Sequence, residues 1–146
     1  MRKGTRSMRG QLAANEIRQL VVDDGIFTNG LRVTYFTIWC VDFGTQQAAG
    51  GLLSLRDTVS ATGGTFPAND PSTFAWSYQG NRNNPLPAVD NGIFTWERID
   101  PDHIINEELF IHNRGSSALN YLIIAEPYMM TPEQGVMQLV KSANQA

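Results

Sequence analysis

The chain has 146 residues, of which 42% are hydrophobic and 17% are charged. This length suits one domain of about 100–200 residues, and the hydrophobic and charged contents together argue against intrinsic disorder over most of the chain. The single cysteine, Cys40, excludes an intrachain disulfide, and no Cys or His grouping has zinc-site spacing. The apolar stretches, such as residues 121–125, are far shorter than the roughly 18 residues of a membrane-spanning helix, and no apolar signal segment follows the basic N-terminus. We therefore expect no membrane span and no secretory signal.

The net charge of −3 is distributed unevenly along the chain. Residues 1–18 contain five basic residues against Glu16 alone, whereas the rest of the chain contains six basic and thirteen acidic residues. We therefore predict a basic N-terminal arm that contacts phosphate, nucleic acid or the acidic surface of a neighbouring subunit. The side chains expected to make these contacts are Arg2, Lys3, Arg6 and Arg9. The alternative is a solvated terminus whose charges only aid solubility.

The next part of the chain predicts a hairpin. Residues 11–20 carry a weak apolar stripe that fits either a short helix or a direct entry into a strand. Asn29 and Gly30 form the dipeptide best suited to a two-residue type I′ turn, which would join residues 26–28 to a strand at 31–39.

Residues 31–39 are rich in β-branched and aromatic side chains, which favours a strand. Alternation with a period of two places one set of side chains on one face: Leu31, Val33, Tyr35 and Trp39. It places the other set on the opposite face: Arg32, Thr34, Phe36 and Ile38. Both faces are apolar near the end of the strand, so we expect the strand to be covered on both sides there.

Five further strands are predicted at 52–59, 73–79, 93–99, 104–112 and 119–128. Several are separated by clusters of Gly, Pro, Asn and Asp, and no alternation of strands with helices occurs. Short strands in this arrangement are typical of an antiparallel sandwich or barrel. We therefore predict an all-β fold.

The C-terminal segment predicts a short helix. Residues 131–134 supply a threonine N-cap, a proline at the first helical position and a glutamine at the capping-box position. We expect the helix to run from about 132 to 142. Its apolar face consists of Val136, Leu139 and Val140, which we expect to contribute assembly contacts.

The most reactive-looking cluster is the run from Asp100 through Asp102 to His103. A metal or acid–base site is one interpretation, but a proline flanked by Asp residues between two strands is more typical of a tight turn. No Gly-x-Ser-x-Gly elbow or phosphate-binding loop occurs, and Cys40 ends an apolar strand, where cysteines are commonly buried and inert. We therefore predict no enzymatic activity, no cofactor and no metal site.

Aromatic residues on the predicted strands offer a different kind of site. The candidates for a sugar-binding platform are Tyr35, Trp39, Trp76, Tyr78 and Trp96. From these we select Trp76, Tyr78 and Trp96 as the predicted platform. The commoner role for such residues in strands is packing in the core.

Four segments resemble small β-rich structural proteins of bacterial viruses, especially marine ones. They are residues 21–30 (VVDDGIFTNG), 74–77 (FAWS), 99–105 (IDPDHII) and 120–124 (NYLII). The resemblance implies a small jelly roll or related sandwich. It also implies a role as a capsid subunit, a vertex or decoration protein, or a tail or spike adaptor.

The sequence therefore leads to one main hypothesis and one alternative. The domain organisation is a basic arm over 1–18, a jelly-roll-like β-sandwich over 19–128, and a C-terminal helix and tail over 129–146. The main hypothesis is a non-enzymatic bacteriophage virion subunit that assembles with itself into a symmetric oligomer and contacts other virion proteins. We expect it in the virion, and in the cytoplasm during assembly. The alternative is a carbohydrate-binding or surface-recognition module.

Overall fold

The computed structural model describes residues 5–22, 29–41, 48–59, 66–81, 93–106 and 108–129, together with positions 133, 136, 137 and 140. Eight strands lie in these ranges. They are β1 (Arg6–Leu12), β2 (Ile17–Val21), β3 (Asn29–Cys40), β4 (Ala49–Ser54), β5 (Thr73–Asn81), β6 (Ile93–Ile99), β7 (Glu108–Asn113) and β8 (Leu119–Met129). All of their pairings are antiparallel, so the predicted all-β class is confirmed.

The strands form two sheets that pack as a β-sandwich. The first sheet has three strands in the order β1-β8-β3, and the second has five in the order β2-β7-β4-β5-β6. Strands β1 and β2 lie in different sheets, and residues 13–16 make the connection between them. Asn15 has a φ of 61° in this turn, a conformation that asparagine tolerates better than most residues. Among the described residues, no helix is long and apolar enough to span a membrane.

The core lies between the two sheets and follows the alternation of each strand. On β8, Leu119, Ile123 and Ala125 point inward and are fully buried. They pack in one apolar cluster with residues from both sheets, including Phe36 on β3 and Ile111 on β7. Burying such side chains contributes about 1.5–3 kcal/mol each, which makes this cluster the main source of stability.

A β-bulge in β3 changes which side chains face the core. The pairing register with β8 shifts between Val33 and Tyr35, so Thr34 is an extra residue. Val33 and Phe36 are therefore both buried, whereas Tyr35 is 45% exposed. The prediction that Tyr35 and Val33 lie on the same face of the strand is wrong, because strict alternation does not allow for the extra residue. Beyond the bulge, Trp39 also points to the outer face of the three-stranded sheet.

Side chains cover the edge of β3 that does not pair with β8. The Ile38 backbone N–H donates to Ser77 Oγ at 3.2 Å, and the Cys40 N–H donates to Gln79 Oε1 at 2.7 Å. These bonds satisfy amides that a free sheet edge would leave open. Both acceptors lie on β5 of the other sheet, so the two sheets approach closely along this side.

The structure contradicts the basic arm for most of its predicted length. Residues Arg6–Leu12 form β1, which pairs with β8 along its whole length, and Ile17–Val21 form β2. Arg6 and Arg9 therefore belong to a sheet, because Leu12 is buried in the core and anchors the strand. Of the two interpretations of residues 11–20, the entry into a strand is confirmed. Arg2 and Lys3 lie outside the described residues.

The predicted turn at Asn29 and Gly30 is also wrong. Both residues belong to β3, where they pair with Met129 and Tyr128 of β8. The long partner strand extends β3 toward its N-terminus, and this tertiary pairing overrides the local turn preference. The first arm of the predicted hairpin, residues 26–28, lies outside the described residues.

The strand predicted at 93–99 is confirmed with the same bounds. Those at 73–79 and 119–128 are two residues and one residue longer, and that at 31–39 is three residues longer. The strand predicted at 52–59 corresponds to β4, which begins and ends earlier. In place of the single strand predicted at 104–112, the structure has β7 and an isolated bridge between Leu31 and Ile105. At the C-terminus, positions 133, 136, 137 and 140 have helical backbone. The residues between them lie outside the described part, so the helix stays a prediction.

Candidate functional site

The three residues of the predicted sugar platform lie together on the outer face of the five-stranded sheet. Tyr78 on β5 pairs directly with Trp96 on β6, and their rings stack with centroids 6.0 Å apart. Trp76 lies two residues before Tyr78 on the same face, and its Nε1–H donates to the Pro67 carbonyl oxygen at 3.3 Å. The alternation of β5 and β6 is the sequence signal that brings these rings to one face.

Other aromatic rings pack against this group. Phe66, from the connection between β4 and β5, lies edge-on to Tyr78 at 6.1 Å and to Trp96 at 5.7 Å. Phe94 on β6 lies 5.8 Å from Tyr78. The rings of Tyr78 and Trp96 are therefore partly covered by neighbouring rings, and Trp76, Tyr78 and Trp96 are each half-buried. This arrangement stabilises the connection on the sheet and leaves less ring surface for a ligand than the predicted platform requires.

Two glycines create the space for these rings. A Cβ built on Gly50 of β4 would collide with the ring of Phe66. A Cβ built on Gly80 of β5 would lie 2.6 Å from the Tyr78 ring and 2.7 Å from the Phe94 ring. The aromatic rings thus rest directly on the sheet backbone, where only glycine allows such a close approach.

A buried serine–histidine pair lies on the same outer face. Ser54 Oγ is 2.7 Å from His112 Nε2, and both residues are almost fully buried. The Ser54 hydroxyl donates to the Arg56 carbonyl oxygen at 2.5 Å, so Ser54 Oγ accepts the hydrogen of Nε2. In a catalytic pair the histidine must instead accept the serine proton. His112 carries its hydrogen on Nε2, the nitrogen that faces Ser54, and so does not accept that proton. The geometry is that of a structural contact.

Asp70 completes the polar network beneath the connection between β4 and β5. Its Oδ1 accepts hydrogen bonds from the Ser72 amide at 2.9 Å and the Ser72 hydroxyl at 2.7 Å, and Arg56 Nη2 lies 3.1 Å away. These bonds compensate a carboxylate that is 2% exposed. The network holds residues 70–72 where the chain enters β5.

The cluster at 100–103 is a turn, as its sequence favours. The Asp102 N–H donates to the Asp100 carboxylate at 3.0 Å, which is the usual role of an aspartate at such a corner. His103 is buried: its Nδ1 is 2.5 Å from the Asp100 carbonyl oxygen, and its Nε2 accepts the Val33 N–H at 2.9 Å. Its ring also stacks on Phe74 at 4.3 Å. These contacts attach the connection between β6 and β7 to the edge of β3.

No metal centre emerges in the part of the chain that the structure describes, because no group of three His, Cys, Asp or Glu side chains is placed to hold an ion. The thiol of Cys40 is half-buried, and burial raises its pKa. A raised pKa reduces the thiolate fraction that a nucleophilic cysteine needs.

An open groove lies on the outer face of the three-stranded sheet, on the opposite side of the molecule from the aromatic group. Its volume is about 460 Å³, within the range of small-molecule sites. Its walls come from all three strands: Arg9, Gly10, Gln11, Trp39, Asn120, Tyr121 and Leu122. Trp39 is 38% exposed, so this groove presents a tryptophan ring to solvent.

The predicted assembly residues fall in different places. Arg9 lines the groove, whereas Arg6 Nη1 donates to the Val22 carbonyl oxygen at 3.3 Å and thereby links the two sheets. Val136 and Val140 are more than half exposed, and Leu139 lies outside the described residues.

Sequence reasoning missed the groove as a unit. Its walls join residues 9–11 to residues 120–122, more than 100 positions apart, and only the pairing of β1 with β8 brings them together. Trp39 was among the aromatic candidates, but the bulge that sets its direction has no sequence signal that we identify.

Comparison with protein-family models, curated proteins and solved structures finds no match for this chain. Function is therefore inferred from the fold and from the surfaces described above.

Proposed function

We propose that the protein is a non-enzymatic structural subunit of a bacteriophage virion that assembles into a symmetric homo-oligomer. The observation that carries this proposal is the strand pairing. Strand β1 pairs with β8, β2 with β7 and β4 with β5, while the side chains of Thr37 on β3 and Glu97 on β6 meet at 3.0 Å. A single long antiparallel hairpin folded over into two sheets has these three pairings; here β6 pairs with β5 and meets β3 through this side-chain contact.

Eight strands in this order favour a jelly roll. That fold has eight strands in two packed sheets. Here β1 and β8 are neighbours, and the chain crosses between the sheets from β1 to β2, β2 to β3, β3 to β4 and β7 to β8, whereas β4 to β7 stay in one sheet. Viral capsid proteins are among the main users of the jelly roll, although the fold by itself does not determine function. The resemblance of the four sequence segments to virion proteins adds independent support.

Exposed apolar side chains support contacts between subunits. Strand β2 is one of the two edges of the five-stranded sheet, and its outward side chains Ile17 and Val21 are 49% and 71% exposed. An edge strand with exposed apolar residues is a template for pairing with another chain. We propose that this edge and the apolar residues Val136, Leu139 and Val140 form contacts between subunits, and that Arg2 and Lys3 contact acidic virion partners or packaged nucleic acid.

The experiment is the mass of the purified chain by light scattering coupled to size exclusion, over a range of protein and salt concentrations. We expect a discrete oligomer or particle. Val21→Lys should shift the population toward the monomer, because it places a charge in the contact, while the matched variant Gln11→Lys on the other sheet should not. A monomer of 16.2 kDa at all concentrations would refute self-assembly.

The alternative proposal, a carbohydrate-binding module, is also compatible with a jelly roll, since lectins use it. Glycan binding lost in Trp76→Ala and Trp96→Ala, by a chain that stays monomeric, would favour this alternative with its predicted platform.

A further inference from the structure

The groove on the three-stranded sheet has an ordered arrangement of side chains. In the pairing register, Gln11, Asn120 and Trp39 lie side by side across β1, β8 and β3. With strands about 4.8 Å apart, this row spans about 10 Å. The neighbouring row begins with Arg9 on β1 and continues with Leu122 on β8. The groove is therefore polar on the β1 side and apolar on the β3 side.

The polar side chains of the groove have unused hydrogen-bonding capacity. Within the described ranges, the side chains of Arg9, Gln11 and Asn120 make no hydrogen bond or ion pair with the protein. The two amides each offer donors and an acceptor, and the guanidinium offers a planar set of donors. Such a set matches a ligand that carries both hydroxyl groups and an anionic oxygen pair.

Trp39 supplies the apolar part of this surface. In the described structure its ring stacks on no other aromatic ring, in contrast to Trp96, which packs against Tyr78 and Phe66. A pyranose ring has one face made largely of C–H groups, which carry partial positive charge and pack on the negative face of an indole. Leu122 extends this apolar floor toward β1.

We infer that the groove binds an acidic saccharide, of the uronic-acid class. The sugar ring packs on Trp39, its hydroxyl groups pair with Asn120 and Gln11, and its carboxylate faces Arg9. A carboxylate is favoured over a neutral substituent because Arg9 is the only charged residue among the groove walls, and Arg–carboxylate pairs form two parallel hydrogen bonds.

An acidic group on the β3 side favours the same direction of binding. Glu97 accepts the Thr37 hydroxyl at 3.0 Å on the far side of β3, away from the β1 side that carries Arg9. Repulsion from Glu97 would disfavour a sugar carboxylate at the Trp39 end. The inference does not depend on self-assembly, because all the groove walls belong to one chain.

The test uses a galacturonic acid trisaccharide, with its methyl ester as the neutral control, in calorimetric titrations at low salt. We expect the acid to bind, and the ester to bind roughly tenfold more weakly because it loses the charge-assisted pair with Arg9. Arg9→Gln should remove most of this difference, and Trp39→Ala should abolish binding of both sugars. Added salt should weaken the binding of the acid more than that of the ester.

Tyr35→Ala is the matched control, since Tyr35 is an exposed aromatic residue on the same strand but outside the groove walls. It should leave the affinity unchanged. Gln11→Ala is a second site variant on an exposed position, and thermal unfolding verifies that each variant is folded. The inference is overturned if neither sugar binds, if both bind equally, or if folded Trp39→Ala and Gln11→Ala bind like the parent chain. Sugar binding tests the groove, whereas the mass of the particle tests self-assembly, so either proposal can fail without the other.

Discussion

Buried polar residues, not only apolar ones, determine how the connections attach to the sheets. The His103 ring has a defined tautomer, because Nε2 accepts the Val33 N–H and Nδ1 must then donate to the Asp100 carbonyl oxygen. Burial lowers the pKa of His103, and burial also lowers the pKa of His112. Both rings are therefore neutral in the folded protein near neutral pH, with consequences for stability.

We expect the free energy of unfolding to fall as the pH is lowered from 8 to 5.5. The pKa of each buried histidine is below the ordinary value of 6.5, so the unfolded chain takes up protons in this range that the folded chain does not. The loss is at most about 1.4 kcal/mol per pH unit for each histidine, and it levels off below the folded-state pKa. Urea denaturation at several pH values measures it. His103→Gln should reduce the pH dependence, and an unchanged dependence would show that His103 does not titrate as proposed.

Among the described glycines whose added Cβ would contact other atoms, Gly50 leaves the least space for one. We expect Gly50→Ala to lower the free energy of unfolding by about 1–3 kcal/mol, because the new methyl group overlaps the Phe66 ring. Gly115→Ala is the matched control, since its added methyl group meets no atom closer than 3.6 Å. Denaturant titration measures both. Adding Phe66→Leu to Gly50→Ala should recover part of the loss, and equal stabilities of the two glycine variants would contradict this account.

At the level of elements, β1 is a strand where the sequence predicted a free basic arm. A run of basic residues suggested a free arm, yet the side chains of Met8 and Leu12 point to the core side of a sheet. The small residue Gly10 lies against the Tyr121 hydroxyl and an Arg18 nitrogen, where a Cβ would be only 3.0 Å and 3.2 Å from them. Arg9 is compatible with a strand because it lies on the outer face, which is open to solvent, whereas Arg6 lies on the core side at the start of the strand, where its Nη1 donates to the Val22 carbonyl oxygen.

This interpretation of β1 predicts a sharp difference between neighbouring residues. Leu12→Ala should cost about 2–5 kcal/mol of unfolding free energy, because Leu12 is 1% exposed and the substitution leaves a cavity. Gln11→Ala on the exposed face should change stability by no more than about 0.5 kcal/mol. Urea denaturation of the two variants is the measurement. Two equally small effects would support the free arm instead.

At the level of the whole molecule, the fold pairs strands that are far apart in the sequence. Arg6 pairs with Ala125, and Ile17 pairs with His112, so β1 and β2 pair with strands that come much later in the chain. Closing such long loops costs conformational entropy before the contacts compensate for it. The same pairing also builds the groove, which is therefore present only in the folded chain.

We expect slow refolding, on a time scale of milliseconds to seconds, as is usual for proteins dominated by contacts between distant residues. Stopped-flow fluorescence of the three tryptophans is a suitable probe. Double-jump experiments from briefly unfolded chains separate this phase from proline isomerisation, which takes about 10–100 s. A main refolding phase in microseconds would be inconsistent with this topology.

The sequence by itself determined the all-β class and the location of most strands. Residues 93–99 and 119–128 carry β-branched and aromatic side chains with a period of two, and this pattern reflects local backbone preference and burial on a sheet. The turn at Asp100 was likewise predictable, because proline and aspartate act on their own immediate backbone.

Only the tertiary structure decided which strands meet and which face each side chain occupies. Asn29 and Gly30 became part of a strand because β8 extends beside them, and the bulge at Thr34 turned Tyr35 and Trp39 outward. Arg9 became a wall of the groove because β1 pairs with a strand more than 100 residues away. Pairing energies between distant segments are absent from any local pattern, so the groove and its ligand chemistry become visible only once the sheets are formed.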